Sequence, residues 1–162
     1  MSAAQRLTDA VERATPRLLA LSDAAAWTPP AQGKWSPKEV IGHLIDSASN
    51  NHGRFVRAQF SDDLVFAGYE QDEWVAAQRY ADAPWNDLVA LWRGFNLHLA
   101  RVMASTPEEI ARKPRAAHNL DTIAFVAVPR DQPATLAYFM ADYVDHLEHH
   151  LAQIFPRDTM SP

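Results

Sequence analysis

The stretch GKWSPKEVIGHLIDSASNNHGRF, residues 33–55, decides the fold. Ser36 can cap a helix, and Pro37 suits the first helical position, where a backbone N–H has no intrahelical partner. Glu39, three residues after the cap, completes a capping box, and Trp35 and Val40 stand at the spacing of a hydrophobic staple. The helix that begins here should run to about Phe60. Three further segments carry helical periodicity, and none carries sustained strand alternation. The first spans about Ala3 to Ser22, with Pro16 expected to kink or restart it. A loop, WTPPAQGKW, separates it from the capped helix. An acidic connector, SDDLVFAGYEQDEW, follows the capped helix, with a short helix expected around Glu70 to Tyr80. The third long helix opens near Asp82 to Pro84 and ends at Thr106-Pro107, with Leu88, Leu91, Trp92, Phe95, Leu99 and Val102 forming one apolar stripe. The fourth runs from about Pro133 to Phe155, ended by Pro156. Residues 108–132 read only as a helical turn followed by loop or a short extended piece, TIAFVAV. Four amphipathic helices of about 20 residues, joined by connections long enough for crossovers, make an all-α four-helix bundle. Residues 1–162 are expected to form one such domain.

Composition excludes several functions. The chain is 48% hydrophobic and 22% charged, a globular balance, and its net charge of -5 leaves no broad basic field for nucleic acid. No apolar run approaches the roughly 18 residues of a membrane span. The N-terminus lacks the basic-then-apolar layout of a signal peptide, so a soluble, cytoplasmic protein is expected. There is no cysteine, hence no disulfide, no thiolate nucleophile and no thiolate-bound zinc. The five glycines form neither a phosphate-cradling loop nor G-x-S-x-G.

What remains is imidazole, carboxylate and guanidinium chemistry. In DYVDHLEHHLAQI, residues 142–154, His146 and His150 are four apart, about 40° round and about 6 Å along a helix, so both rings can grip one ion. The same spacing also suits a solvated polar face. His149 points about 100° from His150 and is expected to be exposed. On the capped helix His43, Asp46, Asn50 and Arg54 form a polar stripe about 80° wide, either the wall of a polar cavity or a face turned to water. His43 can supply a third imidazole from that side. His52 lies about 180° from His43 and should face away, His98 reads as peripheral, and His118 falls in unreadable loop. HLEHH is neither H-E-x-x-H nor H-x-x-E-H, which removes the general base of a zinc peptidase.

These residues resemble the DinB/YfiT-like superfamily of metal-binding four-helix bundles. The likeness begins at GKWSPKEVIGHLIDSASNNHGRF, continues through YEQDEW, which is similar to that family's Tyr-Asp/Glu-x-x-x-Trp connector, and resumes at DYVDHLEHHLAQI, similar to its closing H-x-x-x-H helix. It implies a metal triad of His43, His146 and His150, an up-down-down-up helix course and a homodimer. Some members of that superfamily join small thiols (bacillithiol, mycothiol, glutathione) to electrophiles, and others are described as metal-dependent hydrolases. Residues 108–132 depart from the pattern.

A three-histidine site with an open fourth position suits a divalent ion, zinc or nickel foremost, that activates bound water or holds the thiolate of a small-molecule thiol. The second route fits a chain without cysteine, the sulfur coming from a cosubstrate that reacts with an electrophilic substrate. Asp46, Asn50 and Arg54 are the candidate catalytic residues. Asp46 would orient a ligand ring or meet metal-bound water, while Asn50 and Arg54 would hold a carboxylate or amide of the cosubstrate. Tyr69 and Glu70 would close over the pocket. A non-catalytic metal-binding or stress-response module would instead saturate its ion, with Asp142, Asp145 or Glu148 as fourth ligand.

Overall fold

A computed structural model describes residues 1–155. Eight α-helices follow one another among them: α1 (Ala3–Leu19), α2 (Asp23–Trp27), α3 (Pro37–Arg57), α4 (Gln71–Gln78), α5 (Trp85–Ser105), α6 (Glu108–Arg112), α7 (Leu120–Ile123) and α8 (Leu136–Ile154). A 3₁₀ turn, Tyr80–Asp82, joins α4 to α5. Only two isolated β-bridges occur among the described residues, Leu64 with His118 and Arg115 with Ala134.

The capping box forms as read. Ser36 Oγ accepts from the Glu39 amide at 3.3 Å, and Glu39 Oε2 accepts from the Ser36 amide at 2.8 Å. Ser36→Ala should therefore lower stability by about 1 kcal/mol, read as a lower urea midpoint with an unchanged m-value. The helix ends at Arg57, three residues earlier than expected, and Phe60 is exposed. Helix α1 runs through Pro16 without interruption and stops at Leu19. Ser22, the expected end of that helix, instead caps α2, its Oγ accepting from the Ala25 amide. Thr135, rather than Pro133, starts α8, and Pro156, the expected stop, lies outside the described residues.

Side-chain contacts fix the direction of each long helix. Arg6 reaches Asp145 and Glu148, and Arg17 lies over the Phe155 ring, so α1 and α8 run parallel. Arg93 pairs with Glu12 while the Trp85 indole donates to the Leu18 carbonyl, so α5 opposes α1. His43 meets His146 while Phe55 meets Phe139, so α3 opposes α8. The course is up-down-down-up, and it makes α3 and α5 parallel neighbours.

The core these helices share is built from Trp92, Tyr143, Phe55, Phe139 and branched aliphatics. A polar pair within it is satisfied: Tyr143 donates to Asn96 Oδ1, and the Asn96 amide donates to the Trp92 carbonyl. On α5 the buried stripe is Trp85, Leu88, Val89, Trp92, Asn96, Leu99, Ala100 and Met103. Leu91, expected in that stripe, lies about 120° from its centre and is 53% exposed. The unread segment is held by backbone pairing, with the Leu64 amide donating to the Ala117 carbonyl and Asn119 bonding both polar atoms of the Phe66 backbone. Buried Arg115 ties it to the C-terminus of α3 by donating to the Ala58 carbonyl. His118 Nδ1 accepts from the Leu120 amide, which leaves Nε2–H to donate to the Gln132 carbonyl.

Candidate metal centre

The first half of α3 and the last half of α8 cross so that His43, His146 and His150 converge. One nitrogen from each ring lies within 4.8 Å of the other two. His43 Nε2 and His146 Nε2 stand 3.2 Å apart. Two imidazoles bound to one tetrahedral ion at about 2.0–2.1 Å would stand about 3.3 Å apart, so the spacing present suits a shared cation. His150 directs its Nδ1 to Gln153 Oε1 at 3.0 Å, which sets the tautomer and turns Nε2 toward the other two rings. Trp35 packs its indole against the His43 ring, centroids 5.0 Å apart, and so fixes a ligand from behind. His43 Nδ1 is buried with no partner among the described residues.

Burial, then the neighbouring His150, pushes the His43 pKa down to about 4. Burial and the surrounding histidines push His146 down to about 3. Burial also lowers His150, against its hydrogen bond to Gln153. At neutral pH all three rings are neutral, the form that coordinates a metal.

The cluster lies on the wall of a cavity of about 440 Å³, within the range of small-molecule sites. Ser47, Asn51 and Arg54 continue the α3 wall; Phe139, Asp142 and Tyr143 supply the α8 wall; Tyr69 and residues 122–125 close the sides. Asp142 is committed to that closure, its two oxygens accepting from the Phe125 and Val126 amides at 2.8 and 2.7 Å. The Phe125 ring then lies against His146 and His149.

The remaining candidates divide. Arg54 is buried and lines the cavity. Asp46 is buried on another side of α3, where Oδ1 accepts from Tyr80 Oη at 2.7 Å and Gln78 Nε2 at 2.6 Å; burial raises its pKa against those two bonds. Asn50 folds back to donate to the Asp46 carbonyl. Neither lines the cavity, and Ser47 and Asn51 stand there in their place. Tyr69 lines it, its pKa pushed up to about 12 by burial, whereas Glu70 is exposed at the start of α4. His149 is exposed at the rim, and His52 lies between α3 and α5 against His98 and Phe95, away from the cluster. Asp145 and Glu148 both pair with Arg6 outside the bundle. No Asp or Glu among the described residues joins the three imidazoles.

The sequence profile of the DinB superfamily matches residues 6–154. The chain belongs to the DinB superfamily. A solved structure, YfiT from Bacillus subtilis, described as a probable metal-dependent hydrolase with an unusual four-helix bundle topology, superposes with a TM-score of 0.76 at 21% identity, covering 94% of this chain and 81% of that one. At that identity the likeness speaks for the fold, and the DinB fold is the one the helix directions describe. No curated protein matches the sequence. None of the helices among the described residues is long and apolar enough to cross a membrane.

Within this DinB fold, the signal that could have found Ser47 and Asn51 is the second α3 register, His43-Ser47-Asn51, at strict spacings of four. Trp35 was legible only as a staple residue, because its contact with His43 depends on the loop that delivers it.

Proposed function

We propose that this DinB-superfamily protein is a metal-dependent enzyme that joins a small-molecule thiol to an electrophilic substrate. The observation that carries the reading is the cluster of three imidazoles opening on a cavity with no carboxylate among its members. His43, His146 and His150 would hold a divalent ion, with zinc or nickel suited to three nitrogen donors. Such an ion supplies Lewis acidity that lowers the pKa of a group bound beside it.

The residues around it favour thiol transfer over hydrolysis. Water attack gains from a positioned general base, and the carboxylates here are spent elsewhere: Asp142 on two backbone amides, Asp46 on Tyr80 and Gln78. A thiol ionises far more readily than water and needs no such base. In the transfer the thiol gives its proton to solvent, its sulfur forms a bond to the electrophilic carbon, and the leaving group departs with the electron pair of the bond it loses. Phe125, Phe139 and Tyr143 line the cavity with aromatic surface that an apolar electrophile can pack against. Hydrolysis is the second reading, favoured by the likeness to YfiT.

The test uses zinc- or nickel-loaded protein with a panel of small thiols and a monochlorobimane-type fluorogenic electrophile. The expected result is a rate at least about 100-fold above that of His43→Ala. Equal rates in the two proteins would remove the transferase reading, and cleavage of ester or amide substrates by the wild type alone would establish the hydrolase.

A further inference from the structure

Two arginines are buried among the described residues, and they are provided for very differently. Arg115 is 2% exposed, and its guanidinium donates to four backbone carbonyls, those of Ala58, Ser61, Ile110 and Lys113. It is a structural tie. Arg54 is 5% exposed, and its guanidinium has two partners, the Ala67 carbonyl at 2.7 Å and Asn51 Oδ1 at 3.4 Å. A guanidinium carries five N–H donors, so three of those on Arg54 are left without a partner among the described residues. No Asp or Glu among these residues pairs with it either. A buried charge without a counter-charge is costly, and this one sits on a cavity wall rather than in packed core.

We propose that Arg54 is the anion-binding end of the cavity, and that the molecule bound there carries a carboxylate remote from the group it presents to the three histidines. Arg54 follows His43 by eleven residues on α3, three turns and about 16 Å along the axis, and both side chains reach into the same cavity. The Arg54 guanidinium reaches back to Asn51, eight residues or about 12 Å beyond His43, so the ligand is elongated, with its two recognised groups on the order of 10 Å apart. A single guanidinium with no lysine beside it fits a planar monoanion, which takes two parallel N–H···O bonds; a phosphate dianion would call for more cationic partners. Asn51 steadies the guanidinium plane, and the Ala67 carbonyl couples it to the connector bearing Tyr69. The separation of the two groups rests on the histidines being the reactive end, as in the proposed function; the anion site does not.

Isothermal titration of the metal-loaded, full-length protein tests this, using 3-mercaptopropionate, 6-mercaptohexanoate and 8-mercaptooctanoate. Each is compared with the mercaptoalkanol and the mercaptoalkylphosphonate of equal length. The longer acids should bind about 10- to 100-fold more tightly than their alcohols, with little difference at the shortest length. Arg54→Gln should erase the preference and Arg54→Lys keep part of it, with circular dichroism reporting that each variant folds. Equal affinity of acids and alcohols in the wild type would overturn the proposal whether or not the variants fold, as would an acid preference that survives in folded Arg54→Gln. Tighter binding of the phosphonates would overturn the choice of carboxylate. Octanoate against octanol, with metal-free protein, separates this from the proposed reaction: if thiol binding proves independent of metal, thiol transfer fails, yet the Arg54-dependent preference for the acid stands.

Discussion

Purified protein is expected to carry about one equivalent of a divalent ion, and His43→Ala or His146→Ala to fall below about a tenth of that after dialysis, while His52→Ala keeps it. The contrast follows from geometry. His43 and His146 present Nε2 atoms 3.2 Å apart, and no Asp or Glu among the described residues can replace either. Losing one of three neutral donors leaves two, which solvent competes with easily. His52 shares α3 with His43 but lies between α3 and α5, so its removal changes no donor. Elemental analysis reads the result directly, and thermal denaturation supplies a second readout. Metal at about 100 times its Kd should stabilise the wild type by about 2.7 kcal/mol, raising Tm by roughly 5–10 °C, and should leave both site variants unmoved. Equal metal content in all three variants would dismiss the triad as a site.

The two halves of this site were not equally legible before folding. The i, i+4 pair on α8 could be read because helical spacing alone sets its geometry. That His43 meets it depends on α3 opposing α8, which spacing leaves open and the family resemblance supplies. On α3, angular reasoning assumed one polar stripe on an otherwise apolar helix, but the helix is buried on almost every side. Its polar residues therefore serve two environments. Ser47, Asn51 and Arg54 face the cavity, while Asp46 is turned to Tyr80 and Gln78. Leu91 failed for a related reason: apolar character marks a residue that can be buried, and only the positions of α1 and α3 against α5 decide which ones are. Residues 108–132 were unreadable because they are ordered by non-local partners, such as Leu64 for Ala117 and Ala58 for Arg115, which no local pattern encodes.

Gly42→Ala should destabilise the protein by about 3 kcal/mol, a Tm loss of roughly 6–12 °C, although alanine is the better helix former. A Cβ at this position would lie 2.1 Å from Tyr80 Cδ2 and 2.2 Å from Cγ, far inside van der Waals contact with the base of the ring rather than with its flexible end. The ring cannot swing clear cheaply. It is buried, and its hydroxyl donates to Asp46, a buried carboxylate whose other oxygen already has no partner among the described residues. Displacing it breaks a hydrogen bond to a buried carboxylate, a loss of about 1–3 kcal/mol that leaves Oδ1 to Gln78, and adds this to overpacking of similar size. Gly94, on an exposed face of α5 with open space at its Cβ position, is the control, and there alanine should stabilise by about 0.5–1 kcal/mol. A double-mutant cycle separates the clash from any intrinsic helix effect. In a Tyr80→Ala background the ring is gone, so Gly42→Ala should turn neutral or mildly stabilising, a coupling of at least about 2 kcal/mol. An unchanged penalty in that background would mean that Tyr80 is not what glycine accommodates, and the close approach that locks the α4–α5 junction onto α3 would lose its explanation.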